Sequence, residues 1–216
     1  MLPFSREEFL SLFTAYNVSI WPAQICALAI GLAAICFIVW RSTAAGKIAA
    51  VGLSAMWLWT GLVYHVAFFS SINTAAFGFG AGFILQGLLF LRIAVVGDLR
   101  FGGVPIVRAY VGGFLMGYAI VLYPLIGILL GHRLIDLPSF GVTPCPLTIF
   151  TLGVLLLARP RVPMWLMVIP LLWSVIGGSA AFLLDVPQDG MLLVGGIAFL
   201  VFLRNERELT EASRDT

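Results

Sequence analysis

Seven long apolar runs separated by short polar segments organise the chain, at about 18–40, 48–69, 75–96, 109–131, 142–158, 162–184 and 188–203. Each run is continuous rather than alternating, so a β-barrel is excluded and helices are predicted. A helix crosses a hydrocarbon core roughly 30 Å thick with about 20 apolar residues, at about 1.5 Å of rise per residue. The pattern therefore predicts an all-α polytopic membrane protein with seven transmembrane helices. The fifth and seventh runs are short. They reach full length only through the uncharged residues Ser139 to Thr143 and Val186 to Gln188. The first run follows no basic segment and exceeds the apolar core of a cleaved leader, so it is expected to stay as a helix.

Ahead of the first run, Ser5 and Glu8 have capping-box spacing, and Phe4 and Phe9 occupy the positions of a hydrophobic staple. A short helix from about Arg6 to Tyr16 would carry Phe9, Leu10 and Phe13 on one side and lie in the membrane interface. Asn17 and Pro22 are expected to separate it from the first span. Three regions follow: an interfacial segment over 1–17, a seven-helix domain over 18–203, and a solvated tail over 204–216.

Charge sets the direction. Of twelve basic residues, ten fall on one face of a seven-span arrangement (Arg41, Lys47, Arg92, Arg100, Arg108, Arg159, Arg161, Arg204, Arg207 and Arg214), and only Arg6 and Arg133 on the other. Basic loops favour the cytoplasm. The N-terminus is therefore expected outside, the C-terminus inside, and the chain in a bacterial inner membrane. Composition agrees: 61% of residues are hydrophobic, 10% are charged, and mean hydropathy is +1.07. So few charges cannot wet a soluble globule, which excludes a soluble enzyme, a nucleic-acid binder and a disordered chain. The expected partners are the lipid bilayer and a small-molecule ligand, with no nucleic acid and no stated oligomer.

Residues 58–90 laid over 172–204 align Leu58-Trp59-Thr60 with Leu172-Trp173-Ser174, and Ala67-Phe68 with Ala181-Phe182. Pro22 likewise aligns with Pro146. Such a repeat would make spans 1–3 and 5–7 parallel copies with span four between them, a transporter design. That topology resembles the 3+1+3 sugar-efflux and PQ-loop transporters. Pro187-Gln188 lies in a loop rather than within a helix, however, and does not match their motif. Across nearly the whole chain the local sequence is similar to a bacterial integral-membrane family known only as a domain of unknown function. The likeness is carried by Trp21-Pro22-Ala23-Gln24, by Tyr64-His65 through Asn73, by Pro144-Cys145-Pro146 and by Ala180 through Asp189. The resemblance implies a membrane fold and brings no activity or site residues.

Polar groups inside a bilayer either pair with neighbours or line a functional cavity. His65, Cys145 and Thr148 fall in the outer half of their spans, and Gln86, Trp59 and Trp173 near mid-depth. Asp185 and Asp189 fall at the outer surface. Trp59, Tyr64, His65, Gln86, Cys145, Thr148 and Trp173 form the candidate substrate-binding set, an outward-opening pocket for a small, weakly polar solute that is bound or passed. In the alternative, a membrane sensor or assembly module, the same residues only hold helices together, with His65 bonded to a neighbouring helix or to Gln86. A third reading is a membrane thiol- or metal-handling protein using His65 and Cys145, with one of Asp185 or Asp189 as a further metal ligand. No catalytic motif and no metal-ligand spacing supports it, so neither catalysis nor a cofactor nor a metal is expected. Cys26 and Cys36, ten residues apart in one span, lie too far apart for a disulfide and are expected to be buried. Trp21 and Trp40 are expected as interface anchors. Gly113-xxx-Gly117 and Ser174-xxx-Gly178 have the spacing of close helix contacts.

Overall fold

The computed structural model describes residues 3–97, 99–159 and 162–212, without the side chains of 180 and 205–212. Arg161, Arg214 and the last residues of the expected tail lie outside the described residues, as does the side chain of Arg207.

Helix α1 (Arg6–Ser19) starts at the expected capping box, with Ser5 and Glu8 each bonding the other's backbone. Phe4 stacks on Phe9 at 5.7 Å, as the staple requires. The helix runs past the predicted end at Tyr16. Asn17 does not break it, because the Asn17 amide donates to the carbonyls of Ile135 and Leu137 at 2.8 and 2.9 Å. The break falls at Ile20–Pro22, after which α2 (Ala23–Val39) leaves at 86°. Trp21 and Trp40, 67% and 74% exposed, mark the two ends of α2. Only its small face of Ala27, Gly31, Ala34 and Ile38 is buried. Cys26 and Cys36 are consequently exposed rather than buried, since α2 packs mainly on α3 and leaves its other sides open.

Helix α3 (Ala45–Trp59) widens into a π-helix over Thr60–Phe68 and ends in a 3-10 turn at Phe69–Ser71. It packs along α4 (Ala76–Val96), and a Cβ on Gly61 would stand 3.0 Å from the Gly80 carbonyl oxygen. Helix α5 (Ile106–Gly117) passes through a π turn at Tyr118–Leu122 into α6 (Tyr123–Leu129). The widened turn precedes Pro124, which has no N–H to give to the carbonyl one turn earlier. Helices α7 (Pro144–Leu157), α8 (Met164–Leu183) and α9 (Gly190–Ala212) complete the bundle.

Among the described residues, five helical stretches are long and apolar enough to cross a membrane, or six if the bent pair α1–α2 is one span. The expected fifth span behaves differently. Helix α7 has 14 residues, about 21 Å, and is buried from Pro144 through Leu156. It is the axis of the bundle, flanked by α3, α5, α8 and α9. A helix sheathed in protein has its surroundings satisfied by other helices, so it escapes the length that lipid imposes. Arg108 on α5 closes its far end, with Nε donating to the Leu156 carbonyl and Nη2 to that of Ala158. The α5–α7 crossing is tight at Gly112 and Gly153, where a Cβ on either would lie within 2.8 Å of the other's carbonyl oxygen. Gly113 and Gly117 instead meet nothing within 4 Å and face outward, contrary to expectation. The second small-residue motif does pack, Ser174 against Gly196 and Gly178 against Leu193.

Basic side chains gather at one end. Strands β1 (Arg100–Phe101) and β2 (Ala158–Arg159) pair antiparallel there, Arg100 opposite Arg159. Arg41 lies against Gly102, Arg159 against Gly103, and Arg92 over the Trp165 ring at 5.4 Å. Arg6 and Arg133 sit at the other end, pairing with Asp185 at 3.8 Å and Asp136 at 2.8 Å.

Candidate functional site

At the end opposite the arginines, the bundle encloses a cavity of about 150 Å³. Its walls are aromatic. Phe4, Phe9 and Phe13 come from α1 and its cap, Tyr64 and Phe69 from the end of α3, Phe79 from α4 and Trp173 from α8. Rings pack in series: Phe13 on Tyr64 at 5.7 Å, Tyr64 on Phe69 at 5.7 Å, and Phe69 against Phe4 at 5.5 Å. Helix α1 thus covers the cavity. It is held there by Asn17 and by Tyr16, whose hydroxyl donates to the Val142 carbonyl at 2.6 Å and accepts from Trp59 Nε1 at 3.0 Å.

His65 stands inside this cluster on the π-helical segment. It is fully buried, with ring centroids of Phe83 at 4.7 Å, Trp173 at 5.3 Å, and Phe69 and Phe79 at 6.0 Å. Neither ring nitrogen has a hydrogen-bond partner. The expected bond to Gln86 is not made, and no His65–Cys145 bond activates the thiol. Trp173 Nε1 also lacks a hydrogen bond of good geometry, although it lies near the Cys145 sulfur and against Gly177. A buried polar group without a partner costs free energy, roughly 1–3 kcal/mol. Two such groups stand at one cavity wall, while the other buried unpartnered polar atoms, among them those of Thr60, Thr148 and Gln188, lie away from it.

Four of the seven predicted site residues line the cavity: Tyr64, His65, Cys145 and Trp173. The other three do not. Trp59 serves α1 and borders a separate cleft with Cys26, Met56 and Gly141. Gln86 is fully buried and donates to the Leu166 carbonyl at 3.0 Å. Thr148 is buried on α7 with an unpartnered hydroxyl, away from the cavity lining.

The predicted substrate-binding set leaves out Asp189, which enters only the metal-handling reading, as the alternative ligand to Asp185. Placed at the outer surface by its position, it is 1% exposed and lines the cavity, whereas Asp185 is exposed as expected. A 3-10 turn at Pro187–Asp189 directs it inward ahead of α9. The Tyr123 hydroxyl donates to its Oδ1, the Cys145 thiol lies within hydrogen-bonding reach, and the Tyr118 hydroxyl donates to the adjacent Gln188 carbonyl at 3.0 Å. The two tyrosines are five residues apart, and the π turn between them brings both to one face. That spacing, opposite an acid before an apolar run, was the available signal. Among the described residues no three His, Cys, Asp or Glu side chains come together as a metal site would need.

Residues 6–214 match the model of a family described as a family of unknown function (DUF6064). No curated protein matches the chain, and no solved structure does.

Proposed function

The chain belongs to that family of unknown function, and we propose from its own geometry that it is an integral membrane protein that binds a small, weakly polar solute in the aromatic cavity. One observation carries this reading: the cavity wall holds His65, with both ring nitrogens unpartnered, and Trp173, whose indole N–H is unpartnered. A concave apolar site with few convergent polar groups is the usual build of a small-molecule site. In this reading the seven predicted spans include α2 and the sheathed α7. The arginine end faces the cytoplasm of a bacterial inner membrane, and α1 lies in the outer interface over the cavity. A 3+1+3 repeat remains part of the proposal through the Trp59–Trp173 correspondence, although the two indoles now serve different surroundings.

Binding without passage, as in a sensor, has more support than facilitated passage. Between the cavity and the arginine end the bundle is filled by Trp57, Phe83, Phe90 and Phe150, all fully buried. Trp57 packs on Phe83 at 4.4 Å and donates to Thr151 Oγ1 at 3.0 Å.

Ligand-observed NMR on protein in lipid nanodiscs, with benzyl alcohol, indole and anisole as probes, tests the proposal. Saturable binding is expected for the wild type and its loss for Phe69→Trp, which fills the cavity, with helicity retained by circular dichroism. Absence of saturable binding for all three probes overturns the proposal, as does equal binding to Phe69→Trp.

A further inference from the structure

The mouth of the cavity identifies the kind of molecule that enters it. Most of the lining is buried; the accessible part comprises half-buried Phe4, Asn73, Phe79 and Ser179 and exposed Ile176 and Leu183, so it is mainly apolar and centred on the start of α4 and the second half of α8. Ile176, 44% exposed, and Leu183, 63% exposed, stand on the α8 side, with Phe79 half-buried on the α4 side. Both helices are among those long and apolar enough to cross a membrane. The neighbouring surface of α8 is equally apolar, with Val175 and Phe182 exposed. The end-on route is shut by α1, through its ring contacts to Tyr64 and Phe69 and its polar ties to the 135–142 segment. An opening bordered by exposed Ile176 and Leu183 of α8 and by half-buried Phe79 of α4, on two helices long and apolar enough to span, faces lipid rather than water.

The interior sets the rest. About 150 Å³ is the size of an apolar cavity that accepts one benzene-sized ring. Aromatic walls favour a planar ring by stacked and edge-on contacts. A neutral imidazole offers one donor and one acceptor, and an indole offers a donor. A hydroxyl on the entering ring can accept from the indole N–H and donate to the acceptor nitrogen of the imidazole. A formal charge on the ring would lose its hydration among carbon walls. Anything attached to the ring and too large for the cavity must trail through the α4–α8 gap into the bilayer, so it must be apolar.

We infer that the cavity takes a lipid-partitioned phenol: a single hydroxyl-bearing ring that enters sideways from the bilayer between α4 and α8, with an alkyl tail left in the lipid. This rests on the binding reading above and names its ligand class and route.

Equilibrium binding of tritiated 4-hexylphenol to protein nanodiscs, after subtraction of empty nanodiscs of the same lipid, tests the inference. Saturation at one molecule per chain is expected. Tritiated hexylbenzene, which lacks the hydroxyl, should bind roughly tenfold more weakly, as should 4-hexylphenol to His65→Phe. Ile176→Trp, which places bulk at the mouth and keeps the His65 and Trp173 wall, should slow association about tenfold in a rapid-filtration time course, with helicity unchanged. Equal affinity for hexylphenol and hexylbenzene overturns the phenol assignment. An unchanged association rate in Ile176→Trp overturns the lateral route. If benzyl alcohol, indole or anisole saturates the site while 4-hexylphenol does not, this inference fails and the binding reading stands; if none of the four saturates it, both fail.

Discussion

The Gln86 side-chain amide donates at 3.0 Å to the carbonyl of Leu166, which lies four residues before Pro170 within α8. Proline has no N–H, so in a regular helix that carbonyl would lose its partner. In a lipid-sheathed bundle there is no water to replace it. Gln86 is therefore the partner that lets α8 carry a proline next to α4. Gln86→Leu should destabilise the protein by about 1–2 kcal/mol, the cost of a stranded buried acceptor. Pro170→Ala restores an N–H at the position that would serve Leu166. In that background Gln86→Leu should cost little, and the double-mutant cycle should show coupling of about 1 kcal/mol. Reversible unfolding in mixed micelles measures the four variants, and additive losses would contradict the pairing.

Asn17 is the main polar tie of α1 to the body. Its amide donates to Ile135 and Leu137, and its carbonyl oxygen accepts from Ser139 Oγ at 2.9 Å. Replacing it by Ala removes three hydrogen bonds in a buried position and should cost about 2 kcal/mol locally. The loss should be confined to α1. Hydrogen exchange over 6–19 should rise at least tenfold, while exchange over 45–59 and 76–96 stays unchanged.

How far the sequence disclosed this site depends on whether a feature is local. The capping box at Ser5 and Glu8 and the apolar runs are local, and the box and most runs appear as helices near their predicted limits, the first run starting only at Ala23 and the last helix continuing to Ala212. Run length was read as crossing length, which fails where protein replaces lipid around α7. The grouping of Tyr64, His65, Cys145 and Trp173 was legible because polar or amphipathic residues at similar depth in a bundle tend to meet. Trp59, Gln86 and Asp189 were misplaced because their partners are set by turns with no periodic signature. These are the α1–α2 break, Pro170 in α8, and the 3-10 turn before α9. The π-helical segment that orients His65 likewise lacks a compositional mark, whereas the π turn that pairs Tyr118 with Tyr123 has one in Pro124.

Asp136 provides the pH dependence of the cover. Arg133 donates to it from Nε and Nη2 at 2.8 and 3.0 Å, and Thr14 of α1 from Oγ1 at 2.7 Å. The Arg133 guanidinium, and then the Thr14 hydroxyl, hold its carboxyl below the usual carboxylate range, with His132 adding to the effect. A folded value below the unfolded one contributes stability above the unfolded value, near 4. It is lost as pH falls through the folded value. Melting temperature should hold steady from neutral pH down to about 5 and fall below about 4. Asp136→Asn should lower it slightly at neutral pH and remove part of the acid-side decline. A parallel decline in both proteins would place the acid sensitivity elsewhere.

The charge asymmetry makes a claim about direction that chemical labelling checks. Thr43 lies beside Arg41 in the turn after α2, and Thr74 in the turn between α3 and α4 at the cavity end; both are exposed. In a background with Cys26 and Cys36 replaced by Ser, a membrane-impermeant maleimide should modify Thr74→Cys in intact cells and Thr43→Cys only after lysis. Modification of both from the same side would overturn the seven-span arrangement, and the reverse order would invert it.

Two adjacent glycines should respond oppositely to one substitution. A methyl on Gly112 would stand 2.8 Å from the carbonyl oxygen of Gly153 and 3.1 Å from Leu157, so the α5–α7 crossing would have to open. Backbone cannot move aside as a flexible side chain does, and overpacking of this kind costs about 1–3 kcal/mol. Because α7 is the axis, that cost should reach Arg108 and the α7 end it caps, and a lowered melting temperature should accompany Gly112→Ala. At Gly113 a methyl meets nothing within 4 Å. Gly113→Ala should match or exceed the wild-type melting temperature, because Ala is the better helix former by up to about 1 kcal/mol. Even Gly113→Leu should fold, since its side chain would point outward. Instability of Gly113→Leu in dilute micelles, with Gly112→Ala unaffected, would reverse the assignment of which glycine face packs inside this chain.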